Sequence, residues 1–257
     1  MLKNASTLTK SIVNATDGEI GNVEDAYFDD VAWAIRYLVV DTGTWLVSRR
    51  VLISPYSVVP PLASDAIVNV SLTRSQVKDS PDVDTHKPVS RQHERAYLGY
   101  YGYPPYWNDA GLWSMGEYPL IPPAGLSHSQ EERDQRESDV KPEDVHLRSM
   151  KNVRGYFVEA SDGNIGHIDD FIYDVDSWAI RYLLVDTSNW WPGSKKVLIA
   201  TSWIDRIDWL DSRVFTTLTQ DAIKQSPAYD ESTILDRDAE TRLHDTHARR
   251  GYWNKEG

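Results

Sequence analysis

The chain contains no cysteine. That absence removes disulfides, thiolate-bound metals, iron–sulfur clusters and cysteine nucleophiles together. Positive charge is scarce. Lys and Arg number 27 against 39 Asp and Glu, a formal net charge of −12 over 257 residues. A phosphate-backbone binder needs clustered cations, so nucleic acid is not an expected partner. Long apolar runs are missing too. The strongest, such as Leu38-Val39-Val40, fall far short of a bilayer span, and Met1 to Thr7 holds no apolar core of signal-peptide length. The expectation is a protein with no integral membrane segment, in a reducing, cytoplasmic compartment. Nucleophile-elbow, P-loop, zincin and dinucleotide-binding motifs are also absent. No catalytic residue, metal or cofactor is therefore predicted, and the chain is expected to be non-enzymatic.

What the sequence does contain is one unit written twice. Residues 12–45 (IVNATDGEIGNVEDAYFDDVAWAIRYLVVDTGTW) align with 157–190 (FVEASDGNIGHIDDFIYDVDSWAIRYLLVDTSNW) at an offset of 157 − 12 = 145, with 18 identities in 34 positions. Beyond Trp190 the offset is 146, as in Leu52/Leu198, Pro81/Pro227 and Trp107/Trp253. One residue has entered a loop, where WWPGSKK stands against WLVSRR. Three segments follow: repeat 1 with an aromatic extension over 1–108, a linker over 109–146, and repeat 2 with a C-terminal helix over 147–257. The linker carries 3 basic and 9 acidic residues, 3 − 9 = −6, or half of the net charge. It is Pro/Gly-rich at first, and Trp113, Tyr118 and Leu120 are its expected anchors.

Within repeat 1 the pattern predicts strands near 11–15, 20–29, 33–42, 51–54 and 67–72. Asp17-Gly18 marks a tight turn, and Thr73-Arg74-Ser75-Gln76 is a capping box opening a short helix that ends before Pro81. Second helices are expected over 90–100 and 236–248. Strand follows strand without intervening helices, which predicts an antiparallel meander closing into a small barrel. The fold class is mainly β: two antiparallel barrels in tandem, each with short C-terminal helices.

Each repeat resembles a PRC-barrel domain. The resemblance rests on the D-G turn, the I-G step, an acidic second strand, the strand W-x-I-R-Y-L-x-V-D-T, a V-L-I strand and a closing L-T-x-x-x-V/I-K-x-S-P, over residues 2–81 and 147–227. The tail Ser90 to Trp107 is similar to an extension found on many bacterial members. The family includes the cytoplasmic part of the photosynthetic reaction-centre H subunit and a domain of the ribosome maturation factor, in which the barrel is a docking module. The resemblance thus implies an adaptor or scaffold binding a protein partner. The alternative is a small-molecule or ion binder using a crevice between the barrels, and an intrachain pseudo-dimer is a further expectation.

The repeated charges are Asp25, Arg36 and Asp41 in repeat 1 and Asp170, Arg181 and Asp186 in repeat 2. Strand alternation puts Arg36 on one face with Leu38 and Val40. Its expected role is an ion pair with Asp25 or Asp29 on the neighbouring strand. Asp41 and Asp186, at strand ends, are expected to cap backbone amides. His244 and His247 share a helix face but lack a third ligand. The candidate interaction surface is the aromatic tract, with Tyr101, Tyr103, Tyr106, Trp107 and Trp113 as docking residues. Its alternative role is to wrap the barrel and cover a strand edge.

Overall fold

The computed structural model describes residues 1–46, 49–60, 66–81, 89–107, 111–114, 116–121, 146–188, 195–231 and 235–254. Most of the 109–146 linker thus lies outside the described residues. The fold is mainly β, with two sheets and few helices. The chain divides into two compact units. The first holds Thr7–Met150 and Val175–Ala179; the second holds Met1–Ser6, Lys151–Asp174 and Ile180–Gly257.

Strand β1 (Leu2–Asn4) opens the chain and belongs to the second unit. The first unit then contributes β2 (Ile12–Ala15), β3 (Gly18–Asp29), β4 (Ala34–Asp41), β5 (Arg50–Ile53) and β6 (Ile67–Asn69), and β7 (Leu147–Ser149) joins its sheet. The order is β5-β4-β3-β2-β6, with β7 on β3. Apolar side chains fill the interior at Val13, Ile20, Phe28, Ile35, Leu38, Val40 and Ile53, all essentially inaccessible. Helix α1 (Arg74–Lys78) starts from the expected capping box, with Thr73 and Gln76 bonding reciprocally. Helix α2 (Arg91–Tyr101) runs from the Ser90 cap to Gly102, whose left-handed backbone (φ 70°) closes it.

The second unit repeats this plan. After helix α3 (Met150–Val153) come β8 (Phe157–Ala160), β9 (Gly163–Asp174), β10 (Ile180–Asp186), β11 (Lys196–Ala200), β12 (Ile204–Asp208) and β13 (Arg213–Thr216). The order is β11-β10-β9-β8-β13-β12, with β1 on β9. Helices α4 (Gln220–Gln225) and α5 (Arg237–Thr246) finish it, capped by Thr219 and Asp236.

The expected all-antiparallel pairing fails at one ladder in each sheet. Ile12 pairs with Ile67, and Phe157 with Arg213, in parallel. The reason is parity. Five strands that alternate in direction, with β11 and β12 counted as one run bent at Thr201–Trp203, have a first and a fifth member pointing the same way, so the pair that brings them together is parallel.

A second difference concerns strand β1. At the 145 offset Leu2 corresponds to Leu147, yet each leads a strand in the sheet of the other repeat: Leu2 pairs with Asp174 and Leu147 with Asp29. Strands β3 and β9 are 12 residues long, and β2 and β8 cover only their first parts. The edge amides left over at 27–29 and 172–174 require a partner, which the exchanged strands supply.

Two backbone positions are constrained in both copies. Trp33 (φ 52°) and Trp178 (φ 60°) are left-handed, a conformation uncommon for a bulky side chain. The turn so formed is why β4 begins at Ala34 and not at Trp33. Stacking of Trp33 on Phe28, at 5.5 Å between centroids, helps hold it. Gly21 and Gly166 pass so close to the next strand that an added Cβ would lie 2.0 Å from the Asp41 carbonyl oxygen and 2.1 Å from that of Asp186. Gly43 also has positive φ (58°), but nothing stands within 4 Å of its would-be Cβ. Gly21→Ala is therefore expected to lower unfolding free energy by well over ~1 kcal/mol, and Gly43→Ala by about that amount or less. Urea unfolding of both variants checks this; equal costs would contradict the close-approach argument.

Candidate functional site

Both repeats break the strand alternation at the same residue. In the first unit Tyr37 faces Tyr27 and Ile35 faces Phe28, so Arg36 is the extra residue of a β-bulge. In the second, Tyr182 faces Ile172 and Ile180 faces Tyr173, which leaves Arg181 as the extra residue. A bulge re-aims side chains. Here it lets neighbouring residues Arg36 and Tyr37 converge, against the expectation that they point to opposite faces. Arg36 lies over the Tyr106 ring, 3.8 Å from its centroid, and Tyr37 bonds the carboxylate that Tyr106 also bonds.

That carboxylate is Glu94, on α2 and fully buried. Tyr37 donates to its Oε1 at 3.2 Å, and Tyr106 donates to the same oxygen. Arg91 pairs with Oε2 at 3.2 Å, and His146 Nε2 lies 3.3 Å from it. Arg91 also meets His146 Nδ1 at 3.0 Å. Burial, reinforced by the Glu94 charge, pushes the Tyr37 hydroxyl well above its ordinary range; burial does the same to Tyr106. Both phenols are held as neutral donors.

The second unit builds the same cluster. Tyr182 donates to Glu240 Oε1 at 2.8 Å, Arg237 pairs with Glu240 at 2.9 Å, and Arg181 lies 4.0 Å over the Tyr252 ring. His244 Nε2 approaches the Tyr182 hydroxyl at 3.1 Å. Burial raises Glu240, opposed by hydrogen bonds from Tyr182 and Tyr252 and by the Arg237 charge. Burial also raises Tyr182, and it pushes Tyr252 up to about 12. Sequence reasoning missed Arg91, Glu94, Arg237 and Glu240. The signal was there, because at the 146 offset SRQHE aligns with DRDAE and its second and fifth residues are identical.

The expected Arg36 ion pair forms with Asp29, at 3.4 Å, and not with Asp25. Arg36 also donates to the Leu112 carbonyl at 2.6 Å. Asp25 instead accepts from Ser149 of β7. Its counterpart Asp170 accepts from Asn4 of β1 at 3.3 Å, and from the Ser6 amide and Arg154. Asn4 and Ser149 correspond at the 145 offset, so this repeated Asp anchors the exchanged strand in each sheet. Asp41 and Asp186 accept from the amides of Gly43 (2.9 Å) and Ser188 (2.8 Å), as turn caps.

The docking residues are placed differently from the expectation. Tyr103, Tyr106 and Trp113 are buried, at 8%, 3% and 1% exposure. Tyr101 and Trp107 are half-buried, stacked on Tyr103 and on the Arg91 guanidinium. Tyr103 meets Ser57 at 2.7 Å, and Trp113 donates to the Ser177 carbonyl at 2.8 Å. Tyr97 caps the edge of β5, donating to the Leu52 carbonyl (3.0 Å) and accepting from the Ser54 amide (3.1 Å). The tract thus covers its own sheet. Of the expected linker anchors Trp113 is one, whereas Tyr118 and Leu120 are 53% and 67% exposed.

His244 and His247 are committed to the fold, not to each other. His247 Nε2 meets Ser226 Oγ at 2.8 Å, and both imidazoles pack on Trp203 with centroids 4.9 Å apart. Burial lowers both below the ordinary 6.5. A lowered histidine takes up its proton more readily in the unfolded chain, so the stability it contributes is lost as pH falls below about 6.5. Lowering the pH from about 7.5 to about 5 is expected to reduce the thermal midpoint of the wild type more than that of His244→Gln/His247→Gln. Parallel falls would refute this.

Residues 5–71 match the family model of the PRC-barrel domain, a segment that contains β2 to β6 and the bulged Arg36. A search of the curated proteins finds no match. The sheet order of the first unit, its D-G turn and its W-A-I-R-Y strand all lie within the matched segment, so the chain carries a PRC-barrel domain over these residues.

Proposed function

We propose that this protein is a non-enzymatic adaptor that binds a protein partner, built from two PRC-type barrels. The barrel reading is supported by a single bent run in each unit. The run from β11 through the turn Thr201–Trp203 to β12 pairs with β10 by its first half and with β13 by its second. In the first unit β5 pairs with β4, and after the turn Pro55–Ser57 Val58 bridges Val70. One strand bent around a corner thereby serves both edges. Internal identity with the first unit supports the same domain type for the second.

One observation carries the functional reading. Among the ionisable groups that both repeats keep, Glu94 and Glu240 are spent on Arg91 and Arg237 and on tyrosine hydroxyls, and Arg36 and Arg181 lie on tyrosine rings, Arg36 also meeting Asp29 and the Leu112 carbonyl. Groups so engaged position a helix on a sheet and present no acid, base or nucleophile to a substrate. Among the described residues no helix is long and apolar enough to cross a membrane.

The partner-binding element is argued from exposed apolar side chains. Tyr118, Leu120 and Ile121 are 53%, 67% and 50% exposed within four residues. Such a run favours recognition as an extended segment. Tyr118→Ser/Leu120→Ser/Ile121→Ser in the full chain is expected to abolish capture of partners from lysate while leaving the thermal midpoint within about 2 °C, as surface changes do. Partners retained by the triple variant would remove this element. A turnover assay that scores, and is lost in Glu94→Gln, would overturn the non-enzymatic reading.

A further inference from the structure

The two units differ where helix α5 crosses the edge of β11, and the difference leaves a cavity. Helices α2 and α5 are equivalent at the 146 offset: Arg91/Arg237 and Glu94/Glu240 make the same pairs, and Ser90/Asp236 are their caps. Tyr97 therefore corresponds to Leu243, and Leu52, which accepts the Tyr97 hydroxyl, corresponds to Leu198. In the first unit the phenol lies 1% exposed against the β5 edge. In the second, Leu198 and Leu243 both line a cavity of about 160 Å³. Tyr229, Leu235 and Ala239 are also among its walls.

The backbone register shows which way the Leu198 carbonyl points. Thr187 donates to the Lys195 carbonyl at 3.3 Å, which makes 187 and 195 a hydrogen-bonded pair of the ladder. Alternation then makes Leu184 and Leu198 a non-bonded pair, so the Leu198 carbonyl faces away from β10. Two residues earlier, on the same edge, the Lys196 carbonyl accepts from the Tyr229 amide at 2.8 Å. Position 243 is leucine and supplies no hydroxyl for Leu198, as Tyr97 does for Leu52.

We propose that this cavity binds a small phenol. The geometry recommends this class for two reasons. A half-open cleft of this volume, apolar at Leu198, Leu235, Ala239 and Leu243 and flanked by Asp230 and Arg242, admits a benzene-sized ring. The inward carbonyl rewards a hydroxyl donor on that ring, as the first unit demonstrates with its own tyrosine. The proposal is independent of the adaptor reading, because none of its residues lies in the Tyr118 to Ile121 run.

The test titrates phenol, and toluene as the ring without a hydroxyl, into the full chain, followed by calorimetry and thermal midpoint. Phenol is expected to bind at one per chain and to raise the midpoint, with toluene about tenfold weaker for want of one hydrogen bond. Leu243→Tyr supplies the missing phenol internally: its unliganded midpoint rises, and phenol no longer binds. Ala239→Leu fills the cavity from its wall, and it decides the matter alone if Leu243→Tyr does not fold. No saturable phenol binding, toluene binding as tightly as phenol, or phenol binding undiminished in Ala239→Leu would each overturn the proposal.

Discussion

A carboxylate with no access to water must be surrounded by donors, and Glu94 and Glu240 impose that demand on everything around them. Each sits on a helix that follows its sheet by some twenty residues of chain. The donors come from three places: a tyrosine on the central strand, an arginine one helical turn back, and a tyrosine from the tail. None of these elements can move away without stranding a buried charge. The helices read from sequence as appendages are therefore bound into the fold as firmly as the strands.

The β-bulge makes this possible. A regular strand would send Arg36 and Tyr37 to opposite faces, and only one could have met the tail. With Arg36 unpaired in the ladder, Arg36 reaches the Tyr106 ring and Tyr37 reaches the carboxylate that Tyr106 also bonds. The cationic group then lies on an aromatic face with Asp29 at its other side, so a buried guanidinium is compensated twice. The second unit repeats the bulge at Arg181 and the stacking on Tyr252. Two copies that have diverged elsewhere have kept the bulge, the cation and the ring together, as expected of parts that fail singly.

Much of the architecture was legible because local signals are strong. The D-G turn, the capping box at Thr73 and the β-branched W-A-I-R-Y strand each specify their element without distant help. Strand bounds at 12–15, 18–29 and 34–41 fall within two residues of the reading from sequence. Three features were not legible. The bulge lies in the pairing between two strands, and neither strand carries a local mark of it. The exchange of β1 and β7 depends on which edge has amides to spare, a property of the assembled sheet. The inward turn of Tyr103, Tyr106 and Trp113 depends on partners, Ser57, Glu94 and Ser177, that are far off in sequence. Composition shows an aromatic tract but not which face is wet.

The two copies also show how a core tolerates redistribution. In the first unit aromatic bulk sits on the helix and tail, at Tyr97, Tyr101 and Tyr103, and the turn after β5 carries Tyr56 beside Ser57. At the matching position the second unit has Trp203, packed on His244 and His247, while its helix carries Leu243. On the turn the aromatic has shifted by one place, from Tyr56 to Trp203, and on the helix Tyr97 has given way to Leu243, while the Arg–Glu–Tyr contacts persist. Volume can be traded among neighbours at modest cost, whereas a buried ion pair must keep both members. That asymmetry explains why the arginines, glutamates and tyrosines of the cluster coincide in the two copies while the surrounding aromatics do not. It also explains why the trade is incomplete at the β11 edge: a tryptophan on the turn fills space beside His244, but it cannot give a hydroxyl to the carbonyl of Leu198.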